Sequence, residues 1–235
     1  MRFFNLVLFI LFLGVPAFAR DPALTPFEKI RSDPQLRAQL KEIITQAVVD
    51  FFDRQGGPRP LQKTDPVFRQ SIPLFVTAKK GEETRGCMGS LESKEASLAE
   101  EVRNKVKLAF SLDPRHKPIR REEAPGMEVF VTAVGEPKSV DRPEYLSPAR
   151  DGILIRSGGK EAVVLPGEAK TLRYLLAFAK AKAGIGKGER YQLYRIPSVT
   201  VSVTLPVDLF GKAPTEGGRA KSNPPPPTST SPAIR

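Results

Sequence analysis

The chain has 235 residues, with 37 Lys and Arg against 26 Asp and Glu for a net charge of +11, one Cys, one His and no Trp. A single Cys excludes an internal disulfide framework, and one Cys with one His falls short of the roughly four N/S ligands of an ordinary structural zinc site. The length suffices for one substantial hydrophobic core.

The first segment reads as an address. Residues 1–19 hold 15 apolar side chains, five of them Phe, after the charge of Arg2 and interrupted only by Asn5 before Gly14 and Pro16. Ala17-Phe18-Ala19 completes the order of a secretory signal peptide: charged start, short apolar run, helix breaker, small-x-small cleavage site. The run is shorter than the roughly 20 residues that span a bilayer. Cleavage after Ala19 is expected, leaving a secreted or periplasmic protein whose charge falls from +11 to +10 with the loss of Arg2.

Residues 20–210 read as one globular domain. Asp33-Pro34 opens a helix, with Pro at its first position, whose apolar side chains from Leu36 to Phe52 recur three and four apart until Gly56-Gly57-Pro58 stops it. Residues 74–79 are rich in β-formers and turn through Lys80-Gly81-Glu82 into a second strand at 84–90. Ser97 with Glu100 makes a capping box over a helix with its stripe at Leu98, Val102, Val106, Ala109 and Phe110. Residues 127–134 read as a strand buried largely on both faces. Residues 152–156 and 160–165 form a hairpin around Ser157-Gly158-Gly159, and a further helix from Leu172 ends at Gly184. Strands at 191–196 and 199–205 close the domain. Hairpins mixed with helices, without strict β-α alternation, predict an α+β fold with a largely antiparallel sheet and helices packed on it. Residues 211–235 contain six Pro, four consecutive at 224–227, among Ser, Thr, Gly and Lys, and read as a disordered tail with polyproline-II character.

Thr84-Arg85-Gly86-Cys87-Met88-Gly89-Ser90 is the most unusual local sequence. Two glycines inside a strand mark a bulge or a close approach by another backbone or a ligand. On an extended strand Arg85 and Cys87 share a face, and a guanidinium beside a thiol favours the thiolate. Two readings follow: a reactive or ligand-binding Cys87 beside Arg85, or a small buried Cys filling a gap between glycines, the latter favoured because no base is visible nearby. His116, in Asp113-Pro114-Arg115-His116-Lys117-Pro118, reads as a surface histidine on an exposed basic loop, and Glu122-Glu123 as a solvated turn, although Glu122, Glu123 or Asp151 could instead pair with Arg85 in a salt bridge that closes the domain. No phosphate-binding glycine loop, nucleophile elbow or metal-binding helix motif appears, so no cofactor or metal is expected. The basic excess concentrates at 103–107, 115–121 and 180–190, with only Tyr174, Tyr191 and Tyr194 interleaved. That pattern predicts weak attraction to polyanions or a membrane surface, with no specific nucleic-acid partner.

Pro73-Leu74-Phe75-Val76-Thr77, a Lys-Gly turn, then Arg85-Gly86-Cys87-Met88-Gly89 resembles the AMMECR domain family (AMMECR-one), whose hallmark is a strand followed by Arg-Gly-Cys-aliphatic-Gly. Asp113-Pro114-Arg115, Arg121-Glu122-Glu123, Asp151-Gly152-Ile153, Leu165-Pro166 and Lys182-Ala183-Gly184 match further landmarks in order. The resemblance implies an α+β fold of two lobes around a cleft near the Arg-Gly-Cys strand, with no established activity. It also implies association with Memo-like and radical-SAM proteins, which a signal peptide argues against because that chemistry needs a reducing cytoplasm. His116 stands where the family usually has Phe, and the stretch after Pro166 lacks an aromatic-rich insert. The leading expectation is a binding or accessory module in the cell envelope. Arg85, Gly86, Cys87 and Gly89 would line its cleft and receive a small polar or anionic ligand, or an envelope protein. The alternative is an enzyme with Cys87 as nucleophile and Arg85 stabilising negative charge.

Overall fold

The computed structural model describes residues 21–53 and 64–211. The leader at 1–19, the Gly56-Gly57-Pro58 helix stop and the tail from 212 onward lie outside the described residues.

Asp33 ends one helix and begins the next. Its extended backbone (φ −96°, ψ 118°) closes α1 (Thr25–Ser32), while its carboxylate accepts from the N–H groups of Gln35 (2.8 Å) and Leu36 (3.3 Å) at the start of α2 (Pro34–Phe52). Sequence periodicity finds α2 and misses α1, which is eight residues long and buries only Phe27 and Ile30. Leu36, Leu40, Ile43, Ile44, Ala47 and Val48 form the buried stripe of α2, as the spacing predicts.

Strands β1 (Leu74–Lys80) and β2 (Glu83–Gly89) form an antiparallel hairpin around Gly81, whose φ of +58° suits glycine. Helix α3 (Leu98–Ser111) is capped by Ser97, which accepts from the Glu100 N–H (3.3 Å), while the Glu100 carboxylate turns to Arg103 (3.7 Å). Buried Glu101 fixes the connection from β2: its Oε2 accepts from Ser93 Oγ (3.0 Å) and the N–H groups of Lys94 and Glu95 (2.8 Å each), and Lys105 Nζ lies 3.0 Å from Oε1. Strand β3 (Glu128–Val134) pairs with β1, and β8 (Ser198–Thr204) with β3, giving a four-stranded antiparallel sheet of order β2-β1-β3-β8. Helices α1, α2 and α3 cover one face and share one apolar core with it.

Residues between β3 and β8 build a second antiparallel sheet, of order β4-β7-β5-β6: β4 (Lys138–Ser139), β5 (Gly152–Ser157), β6 (Lys160–Val164) and β7 (Gln192–Ile196). Helix α4 (Leu172–Ala183) packs on it through Leu175 and Ala179 and ends at Gly184 (φ +69°), the left-handed position the sequence marks. The fold is thus α+β as expected, with the strands divided between two sheets and a two-residue β4 too short for any pattern to announce. The chain crosses between sheets only at 135–137 and at Pro197, and Gly135 N–H donates to Pro197 C=O (2.8 Å) to tie the two crossings. Val134, Leu154, Leu165 and Ile196, all buried, join Cys87 in a small apolar cluster between the sheets. Among the described residues, no helix is long and apolar enough to cross a membrane.

Candidate functional site

The Arg-Gly-Cys strand lies at the edge of the first sheet, and its alternation is broken. The register with β1 shifts between Ala78 and Lys79, where Ala78 faces Gly86 and Lys79 faces Thr84, so Arg85 is the extra residue of a bulge. Its guanidinium goes to Glu123 Oε2 (2.9 Å), and Arg120 Nε takes the other oxygen (3.0 Å). These pairs hold the Glu123 carboxyl below its ordinary value, the Arg85 hydrogen bond contributing most. Glu123 is one half of the pair that reads as a solvated turn; only Glu122 is exposed.

The two glycines serve packing. A Cβ on Gly86 would sit 2.0 Å from the Ala109 carbonyl oxygen, so this residue lets α3 lie against β2. A Cβ on Gly89 would collide with the Phe75 ring at 2.3 Å.

Cys87 is 8% exposed, and its thiol accepts from Thr77 Oγ1 (3.2 Å). Burial pushes the thiol above its ordinary value, against the opposing effects of the Thr77 hydrogen bond and the charges of Arg115 and Lys182. The outward backbone groups of Cys87 meet the Asp113-Pro114-Arg115 loop. Its N–H donates to Asp113 Oδ2 (2.8 Å), and its C=O accepts from Arg115 Nη2 (3.0 Å). Arg115 also grips Asp113 through Nε (2.9 Å) and Nη2 (2.8 Å), the bidentate fork that suits a carboxylate. One acceptor and one donor therefore satisfy this free strand edge as a neighbouring strand would. Burial alone would raise the Asp113 carboxyl, yet Arg115 and the Cys87 N–H hold it at about 2. The loop read as exposed and basic is thus anchored by a buried acid, with Asp113 5% exposed.

Beside this clamp, a cavity of about 230 Å³ opens between the two sheets. The first sheet contributes Phe75, Cys87, Met88 and Gly89; the second lobe contributes Val163, Leu165 and Lys182 of α4; Arg115 joins from its loop. Two cations thus flank an apolar floor. Arg115 spends Nε and Nη2 on Asp113 and the Cys87 carbonyl, and its guanidinium also lies within reach of the Cys87 thiol. Lys182 Nζ lies 3.7 Å from Glu168 Oε2, and that same oxygen accepts from the Leu165 N–H (3.2 Å), which steadies the loop after β6. Such a cavity suits a small anion with an apolar body.

Of the residues the sequence singles out, Cys87 and Gly89 line this cavity, Gly86 lies under α3, and Arg85 faces Glu123 elsewhere. Arg115 and Lys182 are missed, although Asp-x-Arg at two-residue spacing was a visible signal for a self-chelated guanidinium. His116 is not among the lining residues, and no group of three or more His, Cys, Asp or Glu among the described residues is placed to hold a metal.

Comparison with known proteins follows the same lines. The AMMECR1 family profile matches residues 42–202. A Thermotoga maritima protein is 29% identical over 154 residues, covering 63% of this chain and 88% of its own length. A Clostridium acetobutylicum protein is 31% identical over 123 residues, 51% of this chain, but the match spans only 26% of that longer protein. A Methanocella arvoryzae protein is 29% identical, and the match spans 53% of its length. The crystal structure of an uncharacterised Pyrococcus horikoshii protein superposes with a TM-score of 0.63 at 20% identity, covering 74% of this chain and 92% of that one, and so shares its fold.

Proposed function

We propose that this chain, which belongs to the AMMECR1 family, is a binding or accessory module whose ligand occupies the cavity between its two sheets. The observation that carries this reading is the presence of two cations, Arg115 and Lys182, in the walls of a cavity with an apolar floor. A volume of about 230 Å³ lies below the roughly 300–1,000 Å³ of drug-sized pockets, so it suits the head of a ligand, a carboxylate or phosphate with a short apolar body. The alternative, Cys87 as a nucleophile, needs a base and a depressed pKa. No histidine or carboxylate lines the cavity, and burial pushes this thiol the other way.

Titration calorimetry with 3-methylbutanoate and with inorganic phosphate tests the reading. Saturable binding of either that weakens about 10–100-fold in Lys182→Met, the scale of a charge-assisted hydrogen bond, supports it. Binding unchanged in both Lys182→Met and Arg115→Gln would sink it.

We also propose an extracytoplasmic location, on the strength of the pattern at residues 1–19. Intact-mass measurement of the native protein should find a chain beginning at Arg20, and one still carrying Met1 contradicts the proposal.

A further inference from the structure

Helix α4 presents an unusual solvent face. It contains no Asp or Glu, and residues 170–190 carry six Lys and Arg against the single Glu189. Lys182 belongs to the cavity and pairs with Glu168. Lys170, Arg173, Lys180, Lys187 and Arg190 have no carboxylate within ion-pair distance among the described residues, although exposed helices ordinarily intersperse opposite charges. Between these cations the surface is apolar and aromatic. Tyr174 is 56% exposed, Tyr191 is 36% exposed, and Ala177 and Ala181 are exposed at the centre of the face.

Aromatic rings among cations suit two kinds of polyanion, and ring geometry separates them. Single-stranded nucleic acid stacks bases on free ring faces. Here the rings are already engaged: Tyr174 lies parallel on Phe178 at 5.9 Å, Lys182 Nζ stands 5.8 Å from the Phe178 centroid, and Lys180 Nζ covers Tyr191 at 4.2 Å. One face of each tyrosine is thus taken, and tyrosines among Lys and Arg suit a lipid–water boundary, where the cations meet anionic headgroups.

We propose that the solvent face of α4 and the loop up to Arg190 docks the protein on an anionic phospholipid surface. The five cations without a carboxylate partner supply the attraction, and Tyr174 and Tyr191 sit at headgroup level. This function is separate from the cavity, and none of the residues varied below lines it.

Cosedimentation of the full chain with vesicles of pure phosphatidylcholine, and with vesicles containing about a third phosphatidylglycerol, tests the proposal. The ratio of the two affinities is the quantity read, because it removes any contribution from the apolar residues 1–19. Each surface cation is worth about fivefold. The triple variant Arg173→Gln/Lys180→Gln/Lys187→Gln should therefore lower the ratio by about 100-fold, with its thermal melt unchanged. Removing three exposed lysines elsewhere, Lys29→Gln/Lys41→Gln/Lys107→Gln, should lower it only a few-fold. In the chain beginning at Arg20, which lacks the apolar leader, Tyr174→Ser should weaken the binding that persists in salt high enough to screen charge. Equal losses in the two triple variants would reduce the effect to net charge and overturn the assignment. So would an unchanged Tyr174→Ser protein, or decathymidylate competing with vesicles at lower concentration than free phosphatidylglycerol vesicles do.

Discussion

Replacing Asp113 with Asn should weaken the protein more than any other single-charge change near the cavity. The Asp113 carboxylate is buried and accepts from the Cys87 N–H, the Arg115 N–H (3.0 Å), and Arg115 Nε and Nη2. Asn keeps one oxygen but turns an NH2 group toward these donors. The carboxyl is lowered from 3.8 to about 2, and that difference corresponds to about 2 kcal/mol of folding stability. Because the folded-state value is the depressed one, this contribution is fully present above pH 4 and is lost as pH falls toward 2. Asp113→Asn should therefore cost about 2–3 kcal/mol at neutral pH, the low end for breaking a buried pair because Arg115 is 44% exposed. For a domain of this size that lowers the Tm by about 5–10 °C. Urea titrations at pH 7 and at pH 3 measure it, with the difference between variant and parent shrinking at the lower pH. Adding Arg115→Leu should recover part of the loss, since the two residues act as one unit. A cost under about 0.5 kcal/mol at pH 7, or strict additivity in the double variant, would refute the clamp.

Cys87 should react slowly with thiol reagents in the native protein and rapidly in denaturant, with the native rate rising only above the ordinary thiol range; fast labelling below neutral pH would restore the nucleophile reading. Gly86→Ala should cost at least about 3 kcal/mol or prevent folding, because its Cβ meets a backbone carbonyl that cannot rotate away; a melt within a degree or so of the parent contradicts the packing role. Arg85→Ala should lower stability by roughly 1 kcal/mol while leaving ligand affinity in the cavity unchanged, and Glu123→Ala added to it should cost little more. A loss of affinity in Arg85→Ala would return that residue to the site.

Long elements with strong local signals were legible in the sequence. Asp33, Ser97 and Gly184 mark helix ends by their own side chains or backbone freedom, and the stripes of α2 and α3 follow from spacing. Alternation tells which face of a strand is buried but not which sheet it joins, so the two lobes came from the family resemblance alone and their boundary at Gly135 and Pro197 from the structure. The Arg-Gly-Cys strand was found by its glycines, yet period-two reasoning placed Arg85 beside Cys87. One bulge, set by pairing with β1, sends the guanidinium to Glu123 instead. Arg115 and Lys182 reach the cavity from a loop after α3 and from a helix of the other lobe. That convergence is made by tertiary packing, and the sequence shows the two residues only as separate landmarks of the family resemblance.

The central claim is that the space between the sheets, bounded by Arg115 and Lys182, is where a small anion binds. Amide NMR during titration with 3-methylbutanoate locates binding directly. Saturable shifts should be confined to Arg115, Lys182 and the other residues around the cavity, Phe75, Cys87, Met88, Gly89, Val163 and Leu165, and should disappear in Lys182→Met. Saturable shifts centred anywhere else on the protein, or the same shifts persisting in Lys182→Met, would contradict it.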